Sequence, residues 1–400
     1  MSQPPPFDPQ SVYAPVGSNV NSVPRVFISP QRYIQGQGVL EEAGRYMSLL
    51  NSQRSGVLAS RRGLAADAAR LISSLEGAGI EVAVSTFNGE SSLAEIESHV
   101  VHFAEADVDC LIAVGGGKCV DAGKAIAYRL DVPVVIVPTL ASNDAPCSAL
   151  SVIYTPAGVM ESFESYPQSP ALVIVDTGVV AEASERYLAA GMGDAMATWY
   201  EARVCLENEN ARTPLGARPT LASCAMGEIC AHTLYDLGTA AAKAVTGNTV
   251  DDALEKVVEA NTLLSGLGFE SGGIAAAHSI AGSYTAIAQV HDNYLHGEMV
   301  AMGVVAQLVM ESNTGEATRA ASFFAAVGLP IHLGQISLGP ADSAHLDTVA
   351  GLAAEFPPIH NMPLPVTADV VKNAILDAHE LGISIADSQG DAAYRRLQAD

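Results

Sequence analysis

The strongest constraint on this chain lies between residues 25 and 176. There, short runs of β-branched and apolar residues alternate with stretches of helical periodicity. RVFIS (from Arg25), SGVLAS (from Ser55), EVAVS (from Glu81), CLIAVGGG (from Cys110), VPVVIVPT (from Val132) and ALVIVD (from Ala171) read as strands. LAADAARLISSLEGAG and SLAEIESHVVHFAEA, which lie between them, read as amphipathic helices. Strands that are apolar along their whole length, separated by helices, predict a parallel sheet covered on both faces. After residue 180 the strand signal ends. Segments rich in Ala, Leu and Glu at 181–190, 194–207, 216–237, 251–267, 274–289 and 296–312 predict an all-helical half. The expected architecture is an α/β domain over residues 24–180 and a helical domain over 181–400. A leader, residues 1–23, precedes them, and its Pro, Ser and Asn content predicts disorder. Clefts between domains are favoured places for ligands.

Composition narrows the function classes. Apolar residues make up 49% of the chain, enough for a large core, and the net charge is −24. That charge argues against nucleic acid and anionic membrane surfaces, both of which call for basic patches. No apolar run approaches the ~20 residues needed to span a bilayer, and the amino terminus lacks the pattern of a secretory signal. Cys110, Cys119, Cys147, Cys205, Cys224 and Cys230 form no CxxC pair and mostly lie in apolar segments. They read as buried free thiols of a cytoplasmic protein rather than as disulfides or a thiolate metal site.

The segment CLIAVGGGKCVDAGKAIAYRL places three glycines between a strand and a helix. Glycines let backbone approach a ligand closely, and the exposed amides at a helix start attract anions. Lys118 adds positive charge. The pattern is neither G-x-G-x-x-G nor a Walker loop, but its strand-to-helix context is the one a nucleotide pyrophosphate requires. The plain alternative is a tight turn. The next strand ends in VPTLASNDAPCSALSVIYTPAG, a polar, turn-rich stretch at the carboxyl end of a strand, where open α/β sheets place ligands. Asp144 in it offers a carboxylate, or simply Asn-Asp turn chemistry.

GGIAAAHSIAGSYTAIAQVHDNYLHGEMVAMG, from Gly272, is small and apolar yet carries His278, His291 and His296. Each could be a hydrogen-bonded core residue; three together make a metal or catalytic site plausible. His278 and His296 on one straight helix would stand roughly 27 Å apart, too far to share an ion. HDNY (His291–Tyr294) supplies a turn signal that would fold the chain back and bring the two rings together. A third ligand must then come from elsewhere. Asp194, in GMGDAMATWYEA, reads as standing in the first turn of a helix opened by two glycines, ordinarily a cap or a dipole partner.

Together VGGGKCVDAGKA, VPTLASNDAPCSALSVIYTP, GMGDAMATWYEAR, LEKVVEANTLLSGLGFESGGIAAAH and LHGEMVAMG resemble the glycerol dehydrogenases, the zinc-dependent branch of the iron-containing alcohol dehydrogenases. The resemblance spans roughly residues 25–390. It implies a Rossmann-like nucleotide-binding domain, a helical metal-binding domain and an active site between them, the dehydroquinate synthase-like fold. It implies zinc on Asp194, His278 and His296, with Thr198 where iron-type relatives carry a fourth ligand, a histidine. Three protein ligands and an open position suit a catalytic zinc. Cofactor contacts carry over to Gly116, Gly117, Lys118, Thr139, Ser142, Ser148, Leu150 and Tyr154, and the substrate-binding aspartate to Asp144. His291 is either a proton relay or structural. The resemblance also implies assembly as an octamer.

One position departs from the pattern. The family usually ends the SGVLAS strand with an aspartate that binds the adenosine ribose; here stands Ser60, followed by Arg61 and Arg62. Serine with arginines would accept a 2′-phosphate, so NADP is expected to be tolerated or preferred, unless SRRG is only a surface turn. The expected reaction interconverts glycerol, or a related vicinal diol, and the hydroxyketone (dihydroxyacetone). Two alternatives keep the fold: an NADP-linked reductase of 2-oxo acids or hydroxyketones, and a dehydroquinate synthase-like lyase.

Overall fold

The computed structural model describes residues 4–13 and 23–399. The chain divides into two compact units. The first comprises Ile28–Ala183 with Asn248–Val250 and the described residues up to Pro9. The second comprises Ser184–Gly247 and Asp251 onward, with the described residues of Gln10–Phe27. Of the expected leader, residues 1–3 and 14–22 lie outside the described residues; Pro9–Tyr13 forms a short helix, and Phe7 makes one antiparallel bridge to Ser165.

The first unit is built on a six-stranded parallel sheet in the order β1-β8-β5-β4-β2-β3. Its strands are β1 (Tyr33–Gly36), β2 (Arg54–Ser60), β3 (Glu81–Phe87), β4 (Cys110–Gly115), β5 (Val134–Pro138) and β8 (Leu172–Asp176). Every residue of β5 and β8 is buried, as a sheet covered on both faces requires. Helices α1 (Asp67–Gly77), α2 (Leu93–Glu105) and α3 (Gly117–Leu130) connect the strands. Ser92 caps α2 by accepting from the Glu95 amide at 3.3 Å. One apolar core joins Leu71 and Leu75 of α1 to Val57, Ile112, Val135 and Ile174 of the sheet.

Two local expectations need correction here. RVFIS is not a strand: Arg25 makes a single bridge to Arg218, and the edge strand is Tyr33–Gly36, in parallel register with Val173–Asp176. Pro30 has no amide to give a ladder. The other concerns the stretch after β5, read as polar turn. Its second half pairs as a hairpin, β6 (Leu150–Tyr154) with β7 (Met160–Ser165).

The second unit is helical. Its main elements are α4 (Glu185–Glu207), α5 (Leu221–Thr246), α6 (Asp252–Glu259), α7 (Ser265–Gly272), α8 (Ala276–Tyr284), α9 (His296–Met310), α10 (Thr314–Val327), α11 (Ser343–Glu355), α12 (Ala368–Gln389) and α13 (Ala392–Gln398). A widened turn, Ala260–Leu264, joins α6 to α7. No helix among the described residues is long and apolar enough to cross a membrane. All six cysteines are free and buried, and burial pushes the Cys119 thiol up to about 12.

Candidate metal centre and glycine loop

Three helices of the second unit meet where backbones touch. A Cβ on Gly297 of α9 would lie 1.8 Å from the Ala190 carbonyl oxygen of α4, and one on Gly193 would lie 2.3 Å from the Gly297 carbonyl oxygen. A Cβ on Gly303 would lie 2.2 Å from the Ala277 carbonyl oxygen of α8. No other residue type permits such approaches. Each contact sits beside a chemically active side chain: Asp194 follows Gly193, His296 precedes Gly297, and His278 follows Ala277. The glycines thus bring the three together.

One carboxylate oxygen of Asp194 and one ring nitrogen each of His278 and His296 lie within 4.8 Å of one another. Asp194 Oδ1 stands 3.3 Å from Nε2 of both rings. Those separations exceed the usual N–H···O length of about 2.9–3.0 Å. They match the edge of a tetrahedron with bonds of about 2.0–2.1 Å to a central cation, which is about 3.3 Å. Two imidazole nitrogens and one carboxylate oxygen are also a donor set that zinc takes. The residues therefore fit a divalent cation. Burial pushes the Asp194 carboxyl up, but the adjacent His296 and His278 rings outweigh it and hold it well below the usual carboxylate range. Burial likewise lowers the affinity of His278 for a proton, yet Glu201 and Asp194 raise it well above the ordinary histidine value.

The predicted reversal of the chain exists: α8 ends at Tyr284, a short helix Ala288–His291 follows, and α9 opens at His296. Glu298 fixes that opening. It accepts from the Leu295 amide at 2.7 Å, and Arg186 grips it with two bonds of 2.8 Å. His291 does not join the donor set; its Nδ1 stands 3.1 Å from Asp292 Oδ1. Asp194 is not in a first turn. It lies in the interior of α4, which runs unbroken through both glycines. Thr198, one turn further on, turns its hydroxyl to Ser265 at 2.8 Å.

Sequence reasoning missed Glu201 and Gln307, both fully buried. Glu201 of α4 accepts from the amides of Ala275 (2.7 Å) and His278 (3.0 Å). Gln307 of α9 accepts from those of Ala276 (3.1 Å) and Ala277 (3.0 Å). The four amides at the start of α8 are thus capped from other helices. A heptad spacing, Asp194 to Glu201, puts both carboxylates on one face of α4 and was the available signal.

In the first unit Ser60 ends β2, the glycine loop follows β4 and Thr139 follows β5, at the carboxyl ends of parallel strands, while Leu150 and Tyr154 lie in β6. β2 is flanked by β3 on one side and β4 on the other, so the chain order reverses there, a switch point that open α/β sheets use for ligands. Gly116 is the N-cap of α3 and offers no side chain to its amides. A Cβ on Gly117 would lie 2.7 Å from Asn143 Nδ2. Thr139 donates its amide to Gly115 at 3.2 Å, joining the two loops. Lys118 pairs with Glu90 at 2.7 Å and lies over the Tyr154 ring. The Ser142 hydroxyl accepts from Asn143 Nδ2 at 3.5 Å. Asp144 is buried at the head of the turn Ala145–Cys147. Ser148 and the Leu150 carbonyl accept from Lys124, a buried lysine that also pairs with Asp121 at 3.0 Å. Ser60 caps the short helix Arg61–Leu64 by accepting from the Gly63 amide at 3.1 Å, and Arg61 is exposed.

Comparison with known proteins shows the family. Residues 30–177 match the family described as iron-containing alcohol dehydrogenase. A glycerol dehydrogenase of Escherichia coli O6:H1 is 44% identical over 90% of this chain and 97% of its own. A glycolaldehyde reductase of Halobacterium salinarum is 39% identical over 90% of this chain and 99% of its own. The crystal structure of glycerol dehydrogenase from Schizosaccharomyces pombe superposes with a TM-score of 0.87 at 35% identity, covering 92% of this chain and 93% of that one. The chain belongs to the glycerol dehydrogenases of the iron-containing alcohol dehydrogenase family.

Proposed function

We propose that the protein interconverts glycerol, or a related vicinal diol, and the hydroxyketone dihydroxyacetone, with zinc at Asp194, His278 and His296 and NAD or NADP at the glycine loop. The observation that carries the metal half is the 3.3 Å spacing from one buried carboxylate oxygen to two imidazole nitrogens. When bound, zinc supplies a Lewis acid to a substrate oxygen and the nicotinamide supplies the hydride acceptor. The chain does the rest. Asp194, His278 and His296 offer three donors, which leaves room for a substrate hydroxyl. The uncapped amides at the start of α3 take the pyrophosphate, and Thr139, Ser142, Ser148, Leu150 and Tyr154 orient the cofactor. Asp144 accepts a hydrogen bond from a substrate hydroxyl. His291, partly exposed and paired with Asp292, moves the released proton to solvent.

Metal-free protein given zinc, glycerol and NAD should show growth of the reduced-nicotinamide absorbance, and none without the metal. Turnover undiminished by complete zinc removal would refute the metal assignment. A net absorbance change also separates the reading from a lyase that restores its cofactor each cycle. Ser60 with Arg61 and Arg62 supports acceptance of a 2′-phosphate; a kcat/KM for NAD far above that for NADP would refute it. Homo-oligomeric assembly, an octamer by resemblance, belongs to the same proposal and is checked by light scattering.

A further inference from the structure

We infer that Glu201 is the positioning residue that sets metal affinity, by fixing which nitrogen of His278 faces the cation. The inference rests on the metal reading above. Glu201 Oε2 lies 2.5 Å from His278 Nδ1, while Nε2 of the same ring lies 3.3 Å from Asp194. An imidazole that ligates a cation is neutral and carries one hydrogen, the cation taking the place of the second. A buried carboxylate can only accept, so Nδ1 carries the hydrogen and donates it to Glu201. Nε2 is left with its lone pair toward the donor set. An imidazole supported in this way is oriented and made a better ligand.

The rest of the Glu201 carboxylate fixes the ring's position. Its Oε1 holds the amides of Ala275 and His278, so helix and ring are gripped by one group. Ala275, at the N-cap of α8, has no capping side chain of its own. Gln307 completes the cap, and its side-chain amide donates to the Tyr200 carbonyl at 2.9 Å, locking the backbone beside Glu201. Asp194 and Glu201 lie two turns apart on α4. One helix therefore presents the carboxylate that touches the cation and the carboxylate that aims its neighbour.

Glu201→Gln tests this. Glutamine keeps one acceptor oxygen for the two amides, so the fold should persist. Its NH2 group would face a ring N–H, and His278 escapes that clash by moving its hydrogen to Nε2, losing the lone pair. Zinc affinity, read by competition with a chromogenic chelator, should fall roughly 10- to 100-fold, with the melting temperature of the metal-free protein near that of the wild type. Affinity within twofold of wild type would overturn the inference. A wild-type protein that binds no zinc would overturn the metal reading and this inference together, which separates the two failures. If Glu201→Gln does not fold, wild-type protein loaded with cobalt(II) decides. A slowly exchanging, hyperfine-shifted Nδ1 proton from buried His278 supports the inference; its absence overturns it.

Discussion

The glycine loop of the α/β unit offers backbone to a ligand, whereas the donor set of the helical unit offers side chains. The first is made of neighbours in sequence: Gly115 ends β4, Gly116 is the N-cap, and Gly117 and Lys118 open α3. The second draws on three helices, with 84 residues separating Asp194 from His278. A backbone site needs the right turn and small residues, and tolerates much else. A side-chain site needs every helix in register, because a displaced imidazole donates nothing to its neighbours. The helical site should therefore break more sharply.

The largest effect belongs to the donor set itself. Asp194→Ala, His278→Ala or His296→Ala should each abolish stable zinc binding and cut kcat by roughly a thousandfold or more, as expected from losing several kcal/mol of transition-state stabilisation. Elemental analysis of the purified variant and a turnover assay check this together. A variant that keeps both metal and rate is not missing a ligand. Chelator treatment of the wild type should reproduce the loss, and added zinc should reverse it.

Next come the glycines that let the helices touch. Gly297→Ala sets a methyl 1.8 Å from the Ala190 carbonyl, and Gly303→Ala sets one 2.2 Å from that of Ala277. Backbone must move, at a cost of about 1–3 kcal/mol or more, and the movement falls on His296 and His278. Both variants should lose thermal stability and zinc affinity together. Gly282→Ala, in α8 and with nothing within 4 Å of its Cβ, is the control. It should be neutral, or stabilising by up to about 1 kcal/mol through helix propensity. Equal behaviour of Gly282→Ala and Gly303→Ala would deny that close approach builds the site.

The same contrast explains what the sequence disclosed. The parallel sheet and its helices were legible because burial on both faces leaves continuous apolar runs, as in β5 and β8. The reversal between His278 and His296 was legible because HDNY is local turn chemistry. The position of Asp194 was misread as a first turn because glycine usually breaks helices. In α4 Gly193 is there for packing, and the Gly297 carbonyl it meets, 104 residues further along the chain, is not written beside it. Hairpin β6–β7 was missed because Ser151 and Ser162 dilute the strand signal. Glu201 and Gln307 cap amides on a different helix, so no motif around α8 names them.

In the α/β unit the expected effects are milder. Gly117→Ala brings a methyl to 2.7 Å from Asn143 Nδ2, the movable end of a side chain. Stability should change by less than about 1 kcal/mol, while the KM for the cofactor rises roughly three- to tenfold with kcat nearly kept, a loss of uniform binding. Zinc content should be untouched. A fall in zinc content would contradict the division of labour between backbone and side-chain sites.

The smallest effect tests a single hydroxyl. Ser60 ends β2 and caps only a four-residue helix, Arg61–Leu64. Ser60→Ala removes that cap, worth about 1 kcal/mol in longer helices and less in so short a one. Ser60→Asp keeps an acceptor for the Gly63 amide, so stability should hold. What changes is charge: a carboxylate there repels a 2′-phosphate and welcomes ribose hydroxyls. The ratio of kcat/KM for NADP to that for NAD should drop by at least about tenfold in Ser60→Asp and stay within threefold in Ser60→Ala, since the nearby arginines remain. If both variants leave the ratio alone, Ser60 is only a cap, and the arginines beside it are surface charge. If Ser60→Ala alone collapses the ratio, the hydroxyl itself touches the phosphate. Either result tells whether cofactor choice in this unit is written in one side chain or spread over the backbone that surrounds it.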